Sequence, residues 1–356
     1  MNKRYLILYP FIIAILYFGC GPDSRHNQNM VTVTDMLGRK VKIPEKVNKV
    51  VCVRAGALRL LSYLDAADMV AGVEIIERSN TCPYNIANPE YSNLPVIGPQ
   101  HGGDAELIAQ TLPDVIFMTY TTTGDADKLQ TQTGIPVIAL NYGDITTHRK
   151  TFYTALSLMA GIIDKKPEAD SLINSIETFI KDLDKRTSTV SQKTKHHIYA
   201  GGISFRGSHG IASTSPEYAP FEFNNVPNLP HDIKSSNNSL FIDKEQLIEW
   251  NPDKIFIDYA GWPIVKDELE ESTLKETLDA VNNNEIYLLL PYNWYTTNFA
   301  TVFVNAYYTG SVLFPEEFSD INFEKKANEI YHTFLQKDIY SDVVKTIGNP
   351  RKMELN

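Results

Sequence analysis

The chain is predicted to fold as two α/β lobes, each built on a central parallel sheet, with one long helix between them. Three observations carry this expectation. Apolar runs of strand length alternate with helical segments in two separate regions, a stretch of purely helical period divides those regions, and one sequence unit occurs in both. Strand–helix alternation produces a parallel sheet covered on both faces. A chain of 356 residues is too long for one ordinary domain and suits two.

Residues 31–48, VTVTDMLGRKVKIPEKVN, alternate apolar and polar around Leu37-Gly38 and predict a hairpin. KVVCV then reads as a buried strand that turns at Arg54-Ala55-Gly56 into the helix ALRLLSYLDAA. MVAGVE, DVIFM and PVIAL are the further strands of a first lobe, residues 31–143. From Thr146 to about Thr189 the period is helical throughout, and Gly161 and Pro167 predict a kink inside a single linking helix, residues 144–190. Alternation resumes with HHIYAGG, DKIFIDY and EIYLLLP, and helices follow from Asn298 to about Leu313 and from Phe323 to Leu335. These form a second lobe, residues 191–340, followed by a tail, 341–356.

The repeated unit is ELIAQTLPDVIF from Glu106 and EQLIEWNPDKIF from Glu245. In each, a glutamate opens an amphipathic helix, proline stops it, aspartate occupies the turn and a strand begins. The repetition predicts two similar lobes flanking the linking helix.

Composition narrows the function. Hydrophobic residues make up 43% and charged residues 21%, the balance of a soluble globular protein. The formal net charge of -10 comes without any basic stripe, which argues against a nucleic-acid partner. At the N-terminus, Lys3 and Arg4 precede the apolar run YLILYPFIIAILYFGC, the pattern of a secretory signal over residues 1–19. Pro10 breaks a run already shorter than the roughly 20 residues a membrane-spanning helix needs, although an uncleaved anchor is the alternative. Its ending, LYFGC, resembles a lipobox with Cys20 as the lipidated residue, and residues 20–30 then form a polar tether. Cys52 and Cys82 either pair in the export compartment or remain as free thiols; nothing in the sequence brings them together.

Taken in order, the export signal ending in cysteine, TDMLGRKVKIPEKVNKVV, GALRLLSYLDAADMVAGVE, and LPVIG followed by the first Glu…Pro-Asp unit resemble one family. It is the helical-backbone (class III) substrate-binding proteins of ABC importers that serve iron–siderophore complexes, haem and cobalamin. The resemblance spans about Val31 to Leu335. It implies two Rossmann-like lobes joined by one long backbone helix, a ligand cleft between them, little lobe movement, and no catalysis. It also implies a monomer tethered by lipid at the cell envelope, with a permease and its ATPase as partners. Glu106 and Glu245 match the glutamates that in this family pair with permease arginines, although acidic residues at helix N-termini are also favoured by the dipole.

In open α/β sheets, ligands sit in the loops beyond the carboxyl ends of the strands. In the first lobe those loops offer Arg54, Gly56 and His101. In the second they offer GGISFRGSHG, with Ser204, Arg206, Ser208 and His209, then Trp262, then PYNWYTTN, with Tyr292, Trp294 and Tyr295. Cations and aromatic faces suit a bulky anionic chelate. GGISFRGSHG is neither a hydrolase elbow, since Arg206 stands where glycine would follow Ser204, nor a phosphate loop, since Gly-Lys-Ser/Thr is absent.

No bare metal site is expected: His101, His209 and His231 are scattered, and His196 and His197 at a strand start point to opposite faces. No resident cofactor is expected either; a metal would arrive inside its chelator, iron foremost. An iron–siderophore is the leading ligand. Cobalamin, haem, or a molybdate or tungstate oxyanion held by backbone amides and Arg206 are the alternatives. From another class, a secreted α/β enzyme would need paired carboxylates, and Asp104, Glu217 and Asp258 share no recognised spacing. A surface adhesion or sensor module is the third possibility.

Overall fold

The computed structural model describes residues 29–79, 81–193, 196–235, 239–271 and 274–354. The signal sequence 1–19, Cys20 and all but the last two residues of the tether lie outside the described residues.

β1 (Met30–Thr34) and β2 (Lys40–Pro44) pair antiparallel as the expected hairpin. The Asp35 side chain holds its turn by accepting from the Leu37 and Arg39 N–H groups. The first sheet contains β3 (Val50–Val53), β4 (Val70–Gly72), β5 (Val115–Thr119) and β6 (Val137–Leu140). Its order is β4-β3-β5-β6 and every pair is parallel. The second lobe begins with β7 (Ile198–Gly201) and a small antiparallel pair, β8 (Ser213–Thr214) and β9 (Leu240–Phe241). β10 (Lys254–Asp258), β11 (Ile286–Leu289) and β12 (Arg351–Met353) complete a sheet ordered β12-β11-β10-β7.

Three boundaries differ from expectation. The linking segment is two helices, Arg149–Ile162 and Lys166–Thr187, folded back on each other. Tyr153 donates to Glu177 at 2.9 Å and Arg149 pairs with the same carboxylate at 3.1 Å, which fixes the antiparallel arrangement. The reversal occurs at Asp164, which adopts φ 58°, and Pro167 lies in the first turn of the second helix. Proline is at home there because that N–H has no helical partner; it marks a start where a kink was expected.

Next, the helices Phe299–Leu313 and Phe323–Leu335 belong as much to the first lobe as to the second. Phe334 meets the Tyr63 ring at 5.0 Å, while Phe303 stacks on Phe223 at 5.0 Å and lies 5.7 Å from Phe179. Finally, residues 341–356 are no loose tail. They supply most of the helix Tyr340–Thr346 and then β12, which closes the sheet by pairing antiparallel with β11.

Packing explains why the lobes keep a fixed relation. Alternate strand residues face opposite sides of a sheet. Val51, Val53, Ile116 and Met118 fill an outer core of the first lobe, and Tyr199, Ile255 and Ile257 fill an outer core of the second. Their neighbours Val50, Cys52 and Phe117, with Phe256 and Leu289 of the second sheet, share one continuous core that runs through the helices between. Parting the lobes would re-expose side chains whose burial stabilises by about 2 kcal/mol each.

Candidate ligand-binding cleft

The carboxyl ends of both sheets face one cavity of ≈ 570 Å³. Ala55 after β3, the Thr81–Pro83 segment and His101 form the wall from the first lobe. Ser204–Ser208 after β7, Ala260 after β10 and the stretch from Pro291 after β11 form the wall from the second. Of the residues expected to face a ligand, His101, Ser204, Arg206, Ser208, Trp294 and Tyr295 line it.

Arg206 is the distinctive charge. It adopts φ 55° and its guanidinium lies 5.4 Å from the ring of Phe205. No carboxylate pairs with it among the described residues. Trp294 is 44% exposed and lines the cavity.

Five expected ligand residues are placed elsewhere. Arg54 donates through Nη1 to the Tyr120 carbonyl at 2.6 Å and through Nη2 to Asp125 at 3.3 Å. Its charge is consumed because the helix Thr123–Thr133 brings Asp125 to the lobe edge. Gly56, at φ 84°, is a packing position where the lobes touch: an added Cβ would stand 2.3 Å from the Tyr142 ring and 2.8 Å from the Thr296 methyl. His209 donates through Nε2 to the Phe205 carbonyl at 2.7 Å and packs edge-on against Phe241, so it braces the rim. Trp262 opens the helix Trp262–Glu271 and packs on the outer core of the second lobe. Tyr292 leans on Tyr218 at 5.8 Å and on the shared core. Aromatic bodies in loops are drawn under the nearest apolar surface unless something holds them out.

Buried carboxylates shape both rims. Glu74, just beyond β4, accepts from Gly102 N–H at 2.7 Å, Arg54 N–H at 3.2 Å and the Tyr295 hydroxyl at 2.6 Å. Burial still pushes its carboxyl upward. Asp258, at the end of β10, accepts from Ala260 N–H at 2.9 Å. Burial pushes it up to about 7, opposed by the Ala260 and Ser204 N–H groups. Asp258 Oδ2 and Ser204 Oγ have no hydrogen-bond partner among the described residues.

Sequence reasoning overlooked Glu74 and Arg59. Both carried a signal: a charged residue inside an apolar run must find partners once buried.

Cys52 and Cys82 are free and buried. Cys82 lies in the cleft wall, yet burial pushes its thiol up to about 12, so it stays protonated. His196 packs edge-on against Phe314, and no group of three or more metal-ligating side chains occurs among the described residues. Glu106 and Glu245 sit exposed in the first turns of the helices Ala105–Gln110 and Lys244–Trp250, one on each lobe. Neither is in an ion pair among the described residues.

Comparison with known proteins agrees with this architecture. The periplasmic binding protein family matches residues 50–292. The molybdate-binding protein MolA of Haemophilus influenzae is 22% identical over 329 residues, covering 87% of this chain and 92% of MolA. Its structure with molybdate bound superimposes with a TM-score of 0.68 at 22% identity, covering 86% of this chain and 98% of that one. The uncharacterized ABC transporter substrate-binding lipoprotein YvrC of Bacillus subtilis is 22% identical over 72% of this chain and 81% of its own. The triscatecholate siderophore-binding protein FeuA of Bacillus subtilis, solved with ferri-bacillibactin, gives a TM-score of 0.56 at 14% identity, covering 87% of this chain and 99% of that one. With most of the chain inside the family match and the paired lobes facing one cleft, the protein belongs to the periplasmic binding protein family, whose members bind a solute rather than transform it.

Proposed function

We propose that the chain is the capture component of an ABC importer and that its cargo is a bulky anionic metal chelate, a ferric siderophore foremost. The observation that carries this reading is the unpaired Arg206 in a cavity of ≈ 570 Å³ walled by Phe205, Trp294 and Tyr295. A cavity of several hundred cubic ångströms suits an organic ligand of drug size. A guanidinium pairs with carboxylate or phenolate oxygens, and the aromatic faces cover flat apolar parts. FeuA, with its ferric siderophore, supports the same cargo class. Export and a lipid tether at Cys20 complete the reading, with YvrC, a lipoprotein by name, in support. Glu106 and Glu245 are the docking carboxylates toward the permease.

A second reading, a bare oxyanion, has MolA in its favour. It would require a tight cage of N–H and O–H donors, since a small anion in a wide cleft keeps its water.

One titration separates them. Tryptophan fluorescence of the purified protein is followed against ferric citrate, a ferric catecholate, cyanocobalamin, haem and molybdate. Saturable quenching by a ferric chelate, with no response to molybdate, is expected. Saturation by molybdate alone would overturn the chelate reading and leave the capture role standing. Charge reversal of Glu106 and Glu245 together is expected to abolish transport in vesicles carrying the permease while cargo binding persists.

A further inference from the structure

The cleft wall that carries Trp294 and Tyr295 belongs by sequence to the second lobe, yet its bonds run to the first. Arg59, on the first-lobe helix Ala57–Tyr63, is 0% exposed. Its Nη2 donates to the carbonyls of Trp294 at 2.7 Å and Tyr295 at 3.2 Å. Its Nη1 donates to the Thr297 carbonyl at 3.0 Å and to the Tyr142 hydroxyl at 2.9 Å. Tyr142 in turn donates to the Thr297 carbonyl at 2.7 Å. The guanidinium carbon stands 4.8 Å from the centre of the Tyr84 ring. Beside this clamp, the Tyr295 hydroxyl reaches Glu74 of the first lobe. Against all of these, one side-chain bond ties the wall to the Ser204–Ser208 rim: Asn293 Nδ2 donates to the Ser204 carbonyl at 2.7 Å.

A buried guanidinium cannot lose its proton, so its charge needs acceptors where it stands. Both Nη groups of Arg59 find them, while Nε has no partner among the described residues. Here the acceptors are mostly backbone carbonyls of one loop. If the loop leaves, the charge is stranded away from water, and that penalty holds the loop in a single position. Lysine cannot substitute, because a point charge lacks the planar fork that reaches several carbonyls at once.

We infer that Arg59 is the positioning residue of the cleft: it fixes the Trp294–Thr297 wall to the first lobe and leaves Ser204–Ser208 as the rim that the second lobe itself controls. This rests on the reading of the cavity as the cargo site, but its test needs no cargo. The chain has 3 tryptophans, so replacing Trp250 and Trp262 by phenylalanine leaves Trp294 as sole reporter. Emission and acrylamide quenching are then compared between this parent, Arg59→Lys and Asn293→Ala.

Arg59→Lys is expected to redshift Trp294 and raise its quenching constant about twofold through local opening, with far-ultraviolet circular dichroism unchanged. Asn293→Ala is expected to leave both near the parent values. A lower melting temperature with an unaltered Trp294 signal in Arg59→Lys would mean a merely structural role and overturn the inference. So would a larger response from Asn293→Ala. If Arg59→Lys does not fold, Tyr142→Phe combined with Tyr295→Phe is expected to shift Trp294 in the same direction, and an unmoved signal there also overturns it. Failure of every chelate titration would defeat the cargo proposal while leaving this result intact.

Discussion

Arg54 follows β3 in the first lobe and Arg206 follows β7 in the second, and both adopt positive φ, 70° and 55°. In the first lobe the guanidinium is spent on Tyr120 and Asp125, and the rim is braced by Glu74 through the N–H groups of Arg54 and Gly102. In the second lobe a buried carboxylate plays a similar bracing part, Asp258 beneath Ala260, but no acidic side chain reaches Arg206 among the described residues. Two lobes whose sheets differ in strand order but carry the same Glu…Pro-Asp unit therefore differ also in one electrostatic respect. In the first rim the Arg54 charge is paired with Asp125, although its Nε has no partner among the described residues; in the second, the Arg206 guanidinium has no carboxylate partner among them.

The sharpest test of this contrast is steric. Gly56→Ala forces a Cβ to 2.3 Å from the Tyr142 ring at φ 84°, and a loss of about 3 kcal/mol in urea denaturation is expected. Gly207→Ala, at φ 141° with open space around it, should cost only the backbone strain, about 1–2 kcal/mol, without the steric clash. Equal losses would erase the distinction between a packed rim and an open one. Next in size, Arg206→Ala should weaken binding of a ferric catecholate about 10–100-fold, the worth of a charged hydrogen bond. Arg54→Ala should stay within about threefold in the same titration and show its effect in stability instead. A matching loss of affinity in Arg54→Ala would remove the asymmetry.

A smaller effect concerns pH. Each lobe holds one carboxyl that burial pushes up to about 7, Glu77 in the first and Asp258 in the second. Such a group binds its proton more tightly when folded, so stability is greatest where it is protonated and declines from about pH 4 toward pH 7. Glu77→Gln and Asp258→Asn should each flatten that decline by about one proton, read from denaturation midpoints across the window. An effect from only one of them would show that the two lobes are not electrostatically matched. The smallest difference is expected at the repeated units. Asp114 accepts from the Asn48 and Lys49 N–H groups at 2.8 and 2.9 Å, whereas among the described residues Asp253 accepts from His197 N–H alone, at 3.3 Å. Asp114→Ala should cost about 1–2 kcal/mol and Asp253→Ala clearly less.

Strands, lobes and the doubled unit were legible because they rest on local periodicity and on proline and glycine punctuation. Val50–Val53, Val115–Thr119 and Lys254–Asp258 fall where the apolar runs placed them. The helix reversal at Asp164 was not legible, since a non-glycine residue at φ 58° leaves no signal in hydropathy. β12 was missed because RKM has no apolar alternation; it pairs on a sheet edge, where Lys352 finds Glu285 at 2.6 Å. Within the cleft, GGISFRGSHG and PYNWYTTN contained five of the expected residues that line it, Ser204, Arg206, Ser208, Trp294 and Tyr295, but side-chain orientation was hidden. His209 and Tyr292 turn inward to a carbonyl and to an apolar surface, while Ser208 and Trp294 face the cavity.

By itself, the amino-acid order determined two lobes built on parallel strands, the strand-end loops that line the cleft, and the paired glutamates at the starts of two helices. These follow from short-range steric and hydrophobic patterning, which a linear chain records faithfully. Only the tertiary structure decided which arginine remains available, and that the wall bearing Trp294 is held by a guanidinium more than two hundred residues earlier in the chain. Ion pairs and buried hydrogen bonds depend on distances of a few ångströms between segments remote in sequence, and no local pattern encodes such distances.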